Sequence, residues 1–295
     1  VAGGGYNVKI DFYSDWIRFL KHQLSAFGFV IDDEVEGQEI SIKYFNLQKR
    51  LVPPRPRKIL IAEEFTCPPY LESGLEAIKK KIAEGQILTP HLSKKIADLD
   101  YNDALLNDWG IHHLHLGTTV DNSGFIVRTR EVLFVRFDEE NAYFINVMPH
   151  GTWSEQELVR VIHRNWPESI KRFRLNGVIG TEFKLSNEDI GKLRKAGVVT
   201  FVEVEKGVVY APIGGGYATS GTSVEVVTTS DYFANRVRQL EKYIIDNIDQ
   251  IAIKMRSINI SIGENLEFVL LLEGNEAVAL EKNTKVGIKL GPLVL

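Results

Sequence analysis

Cysteine is nearly absent from this chain: Cys67 is the only one in 295 residues. That excludes an intramolecular disulfide and a cysteine-built metal site, and it fits a reducing, cytoplasmic setting. Long apolar runs are missing as well. No stretch reaches the ~18 consecutive apolar residues of a membrane span, and no signal peptide is expected. Nor is there an excess of positive charge, since 35 Lys and Arg face 39 Asp and Glu, for a net charge of −4. A nucleic-acid ligand would therefore meet local basic patches rather than a global field. Repeats of fixed period and low-complexity tracts are also lacking. What remains, 44% hydrophobic and 25% charged residues, is the make-up of an ordinary globular protein. At ~100–200 residues per domain its length allows two or three. The opening Val1-Ala2-Gly3-Gly4-Gly5 carries no initiator Met and is left out of the fold reading.

The residue patterns predict an α+β fold in three consecutive portions, 6–104, 105–180 and 181–295. In the first, Tyr6–Phe12 alternates as a strand, and Ser14 opens a helix to about Ala26 that Gly28 stops. Strands are expected at Phe29–Asp32 and Glu39–Phe45. Pro53, Pro54 and Pro56 exclude regular structure between Lys49 and Lys58, before an apolar strand at Ile59–Ala62. Helices follow at Tyr70–Glu84 and between Leu92 and Asp108. The middle portion reads as a meander, Ile111–Thr118, Phe125–Phe137 and Ala142–Met148, with polar turns between the strands. Ser154-x-x-Glu157 is a capping-box pattern that opens a helix to about Asn165. In the last portion Ser186-x-x-Asp189 opens a short helix, and a hairpin turns around Gly207. A strand at Ser223–Thr228, a long helix from Asp231 to about Arg256 and a final hairpin through Gly274-Asn275 complete the pattern.

Three of the seven histidines fall within four positions, His112, His113 and His115. A strand alternates its side chains, so His113 and His115 share one face and His112 joins Leu114 and Leu116 on the other. Arg128 and Arg130 stand two apart in the next strand pattern. His150 ends the third strand, Tyr143 lies near its start, and Trp153 follows in the turn. Neighbouring strands lie about 4.8 Å apart, which allows these groups to meet on one sheet face. Histidine transfers protons near neutral pH and arginine stabilises phosphoryl charge through its planar fork. Together they suit metal-independent RNA cleavage: one group deprotonates the 2′-hydroxyl, the arginines hold the phosphorane, and another group protonates the leaving 5′-oxygen. The same residues also fit half-buried strand histidines beside a solvated arginine face, or a sheet that binds RNA or protein without turnover. A His-ligated metal enzyme is a further alternative, with His150 or a carboxylate joining His113 and His115. No glutamate follows at a suitable spacing, and Asp108 and Asp121 lie outside the strand, so neither a metal nor a cofactor is assigned.

The histidine run ending in Leu116-Gly117, a turn, Arg128-Thr129-Arg130, the apolar Val132-Leu133-Phe134-Val135, an acidic turn, Tyr143-Phe144-Ile145-Asn146-Val147 and His150-Gly151 together resemble the core of RelE/ParE-type toxins. These are small proteins of the superfamily that also contains barnase-like nucleases. The resemblance covers about residues 105–170. It implies an antiparallel sheet whose basic and histidine side chains cleave RNA, often mRNA in the ribosome. By the same resemblance Arg128 or Arg130 matches the arginine of the central strand, and His150 falls near the terminal catalytic position. The chain departs from that family in being far larger, acidic overall, and rich in histidine where the toxins place lysine or arginine.

Three other stretches stand out. Ile213–Thr222 is glycine-rich but lacks the Gly-Lys-Ser/Thr ending of a phosphate loop, which leaves a surface loop. Lys49–Lys58 carries five Lys and Arg among its prolines. His163-Arg164-Asn165-Trp166-Pro167 and Lys171-Arg172-Phe173-Arg174 mix charge with aromatic rings, as RNA contacts do. The resulting expectation is a bacterial, toxin-like, metal-independent endoribonuclease with RNA and an antitoxin or other protein as partners, away from membranes. His113, His115, Arg128, Arg130 and His150 are its expected catalytic residues. His112, Tyr143, Trp153, Arg164, Trp166 and Arg172 are its expected substrate contacts.

Overall fold

A computed structural model describes residues 2, 3, 5–32, 34–218 and 220–293, with side chains from Gly5 onward. Val1 and Gly4 of the glycine-rich start and Thr219 of the 213–222 loop thus lie outside the described residues. The chain is α+β. It opens with β1 (Ala2–Gly3), β2 (Tyr6–Ile10), α1 (Phe12–Ala26), α2 (Gly37–Arg50), β3 (Lys58–Ile61) and α3 (Glu72–Ala83). Then come α4 (Ala104–Trp109), β4 (Ile111–His115), β5 (Glu131–Phe137), β6 (Asn141–Pro149), α5 (Glu157–Asn165), α6 (Pro167–Ile170) and α7 (Asn187–Lys195). The hairpin β7 (Val202–Glu205) and β8 (Val208–Tyr210) precedes α8 (Val224–Asp246) and α9 (Ile248–Ser257). The last strands are β9 (Asn265–Glu273), β10 (Glu276–Glu281) and β11 (Val286–Pro292).

Two compact units form, Val1–Tyr44 with Thr228–Leu295, and Phe45–Val227, rather than three consecutive portions. The first joins the two ends of the chain in a five-stranded sheet of order β1-β2-β9-β10-β11, with β2 parallel to β9. On α1 the residues Phe12, Trp16, Leu20 and Leu24 recur every fourth position and are buried, the stripe of an amphipathic helix. Asp11, not Ser14, caps it, accepting from the Ser14 N–H at 2.9 Å. Asp15 then accepts the Leu270 N–H of β9 at 2.8 Å.

The second unit holds the histidines. Its four-stranded sheet has the order β3-β6-β5-β4, so β4 is an edge. The expected meander is there in β4, β5 and β6, all antiparallel, and β3 adds a parallel strand beside β6. Both faces are buried, because alternate side chains enter two different cores. Ile111, Val132, Phe134 and Ile145 pack with Leu158, Val159 and Ile162 of α5. Leu114, Leu133, Val135 and Phe144 pack with Leu75, Ile78 and Ile82 of α3.

Several local expectations give way. Glu39–Phe45 is helical, as part of α2: its alternation of Ile40 and Ile42 is short, whereas buried Ile40, Tyr44 and Leu47 keep helical spacing. Phe29–Asp32 forms no strand. Between Leu92 and Asp108 only a 3₁₀ turn, Lys94–Ala97, and α4 form. Asp98 there binds the Asp100 N–H, drawing the backbone away from helix, and Asp103 caps α4 by accepting the Leu106 N–H, so the helix starts only at Ala104. Ser154 makes no capping box. The start of α5 is tied instead by Gln156, whose backbone and side-chain N–H groups both donate to Asn187 Oδ1. Ser186 and Asp189 do form their box at α7. Ser223–Thr228 is no strand, because α8 starts at Val224, and Asn247 separates α8 from α9.

Candidate active site

The register of β4 against β5 sets His113 opposite Phe134 and His115 opposite Val132, while His112 stands opposite Val135 on the other face. His150 follows β6, and its N–H donates to the Arg130 carbonyl at 2.8 Å. Gly151 then turns the chain with φ of +107°, a conformation that favours glycine, and Trp153 comes round onto the histidines.

Four rings meet there. His113 lies 5.9 Å from His150 and 4.6 Å from Trp153, centroid to centroid, and His150 lies 4.7 Å from Trp153. His115 stacks on His150 at 5.7 Å with planes 21° apart. Trp153 is fixed from behind: its carbonyl accepts from Arg194 Nη1 at 2.5 Å. Arg194 in turn forms a buried pair with Asp108 Oδ2, at 3.0 Å from Nε and 2.7 Å from Nη2. Its guanidinium also lies 4.4 Å from the centre of the Trp109 ring. A second support lies beneath β4, where His91 Nδ1 and the His115 carbonyl stand 2.8 Å apart, and His91 Nε2 is 2.9 Å from Lys81 Nζ. The ammonium must donate, so Nε2 of His91 is the acceptor and Nδ1–H donates to the carbonyl.

These rings open on a cleft of about 740 Å³ whose lining includes His113, Arg128, His150, Trp153, Lys192 and Lys195. His115 is 1% exposed and stands behind His150. Burial is the main reason all three histidines are harder to protonate than usual. His113 is brought to about 4 and His115 to about 3, with Arg128 and the neighbouring rings adding repulsion. His150 is lowered too, by burial and then by Arg128. At neutral pH the cluster is therefore uncharged. Nδ1 of His113 and Nε2 of His115 are buried without hydrogen-bond partners, although His115 Nδ1 accepts a long bond, 3.4 Å, from the Thr129 N–H.

The remaining expected residues scatter. β5 begins only at Glu131, so Arg128 and Arg130 occupy the preceding loop and share no strand face. Arg128 lines the cleft, whereas the Arg130 side chain is 87% exposed and lies 3.9 Å from Glu131. Tyr143 donates to Asp138 Oδ2 at 2.7 Å, which together with burial pushes its hydroxyl up to about 12. Its ring lies 5.1 Å from Trp166, and neither residue lines the cleft. Arg164 is engaged by Glu64 and Glu157. His112 and Arg172 line a different cavity. Of the six expected substrate contacts only Trp153 sits with the histidines. Lys192, Arg194 and Lys195 had no local signal, because α7 reads as an ordinary amphipathic helix and reaches the cleft only through the fold.

Among the described residues no group of three or more His, Cys, Asp or Glu side chains is arranged to hold a metal ion. No family model, no curated protein and no solved structure matches the chain. What the protein does has to be read from the site.

Proposed function

We propose that this cleft cleaves RNA phosphodiester bonds by general acid–base catalysis without a metal, on a sheet of RelE-like type. The observation that carries the reading is the meeting of His113, His150 and Trp153 with Arg128 at one open cleft edged by Lys192 and Lys195. A neutral imidazole has a free nitrogen lone pair that can accept a proton, although burial makes His113 a weaker base than an ordinary histidine. His113 takes the proton of the ribose 2′-hydroxyl, and the oxygen attacks the adjacent phosphorus. Arg128 stabilises the charge on the pentacovalent phosphorane. His150, the more exposed of the two rings, gives a proton to the departing 5′-oxygen, leaving a 2′,3′-cyclic phosphate. An arriving phosphodiester brings negative charge beside the rings, offsets the repulsion from Arg128, and so favours the protonated His150 that this step needs. Trp153 offers a face on which a base can stack. His115 positions His150 by stacking rather than touching substrate.

Purified protein incubated with a mixed tRNA and mRNA pool in EDTA is expected to yield fragments ending in 2′,3′-cyclic phosphate. His113→Ala and Arg128→Ala should abolish them. In the free protein His113 titrates at about 4 and His150 below the ordinary histidine value. The optimum of kcat/KM should therefore lie below the unperturbed histidine value of about 6.5. RNA that stays intact from pH 4 to 8 sinks the nuclease reading. Retained binding that the two variants lose would then leave a binding surface.

A further inference from the structure

We propose that a second cavity of the same unit binds a small phosphorylated ligand of the mononucleotide type, with Arg136 as its phosphate anchor. This cavity, about 920 Å³, shares no lining residue with the histidine cleft. Its size is within the ~300–1,000 Å³ usual for small-molecule sites.

The case begins with how the buried arginines of the unit are satisfied. Arg57 gives Nε to the Asp138 carbonyl at 2.7 Å and Nη1 to the Pro53 carbonyl at 2.9 Å. Arg194 has Asp108. Arg136 is as buried as either, at 7% exposed, yet its Nη1 is enclosed with no hydrogen-bond partner. Its guanidinium carbon lies 5.8 Å from the centre of the Tyr143 ring, and no carboxylate pairs with it among the described residues. A buried guanidinium N–H without an acceptor is a standing cost to the fold, even with the Asp138 carboxylate near enough to favour the charge. The protein carries that cost at the wall of an open cavity.

The neighbouring groups fit an anion joined to a flat ring. His112 has both ring nitrogens buried without hydrogen-bond partners, and it lines the same cavity. Burial holds its imidazole neutral, so one nitrogen is a donor, directed toward the Arg50 backbone, and the other is an acceptor. Arg172, exposed at the rim, adds a second cation and is close enough to lower the affinity of Arg136 for its proton. Two of the three acidic groups of the lining are engaged: Asp138 accepts from the Tyr143 hydroxyl and the Asn141 N–H, and Glu225 pairs with Lys49 at 2.5 Å, while Glu139 is exposed to solvent. Phe137 and Phe173 supply aromatic surface on the lining. Arginine forks, a neutral imidazole and phenyl faces are the set that holds a phosphate and the base attached to it.

Titration calorimetry and thermal melting of the full chain test this with AMP, adenosine and inorganic phosphate as probes. AMP should bind and raise the melting temperature, phosphate should compete weakly, and adenosine should do neither. Arg136→Met should weaken AMP binding by ~10–100-fold, the value of a lost charge-assisted hydrogen bond. It should also leave the unliganded melting temperature unchanged or higher, because an unpaired buried charge has gone. Arg172→Ala, an exposed change, should weaken binding several-fold without affecting stability. His113→Ala should bind AMP as the unaltered protein does, which separates this cavity from the cleft. No binding of AMP to the unaltered protein overturns the proposal. So does AMP binding that survives Arg136→Met, or a melting temperature that Arg136→Met lowers sharply, which would make Arg136 a structural residue.

Discussion

At the scale of single residues, the histidine cluster ties function to stability through one quantity, the proton affinity of buried imidazoles. His113, 8% exposed, titrates at about 4 in the folded protein, against about 6.5 in an unfolded chain. Between those values the unfolded chain holds a proton that the folded chain has shed. Stability from this residue is therefore complete above about pH 6.5 and is lost as the pH falls toward 4. The loss is on the order of 3 kcal/mol for His113 alone, and His115, at about 3, acts in the same direction. Urea midpoints measured from pH 7.5 down to 4 should fall across this window, and His113→Asn should flatten the fall. Midpoints that do not move with pH, or that rise on acidification, would show that the rings are not held neutral by the fold. The same residues show what was legible beforehand. His113, His115 and His150 converge because period-two alternation and a meander are local rules. Arg130 does not join them, because the strand that should have carried it begins one residue later, at Glu131.

At the scale of elements, legibility follows how far a pattern extends and who competes for the backbone. The three strands of the meander, the capping box at α7 and the stripe on α1 are each written in adjacent residues, and each forms. The segment that becomes α2 misleads because a six-residue window shows strand alternation, while the helix needs Leu47 to declare itself. Ser154 misleads because a partner distant in sequence, Asn187, takes over the start of α5. Close approaches of backbone to backbone leave no pattern at all. Gly74 on α3 is such a case: a Cβ there would stand 1.7 Å from the Leu116 carbonyl oxygen and 2.6 Å from its carbon. The obstacle is main chain, which cannot rotate aside. Gly74→Ala gains about 1 kcal/mol of helix propensity but must push α3 off the sheet, at a cost of about 3 kcal/mol or more. The expected result is a urea midpoint well below that of the unaltered protein, with weaker cleft function because Leu116 directly follows His115. A variant as stable as the parent would mean that α3 does not pack as described.

At the scale of the whole molecule, the two units differ in how the chain builds them. The histidine unit is one continuous stretch with two cores of its own, one on each face of its sheet. The other unit exists only when both ends of the chain meet, since β2 and β9 pair in parallel with Val8 opposite Leu266 and Ile10 opposite Phe268. No local pattern announces such a pairing, which is why a division into consecutive portions misses it. It also gives the terminal unit a specific weakness. Phe268 is 2% exposed at the strand that joins the two ends, and truncating such a ring to alanine costs ~3–5 kcal/mol. In Phe268→Ala, hydrogen exchange should show protection lost in β2, α1 and β9–β11, while β4, β5 and β6 keep theirs because their cores are made within residues 45–227. The cleft should then keep its activity at temperatures where the terminal unit has opened. Loss of protection at one common rate across both sheets would instead show that the chain unfolds as a single cooperative body.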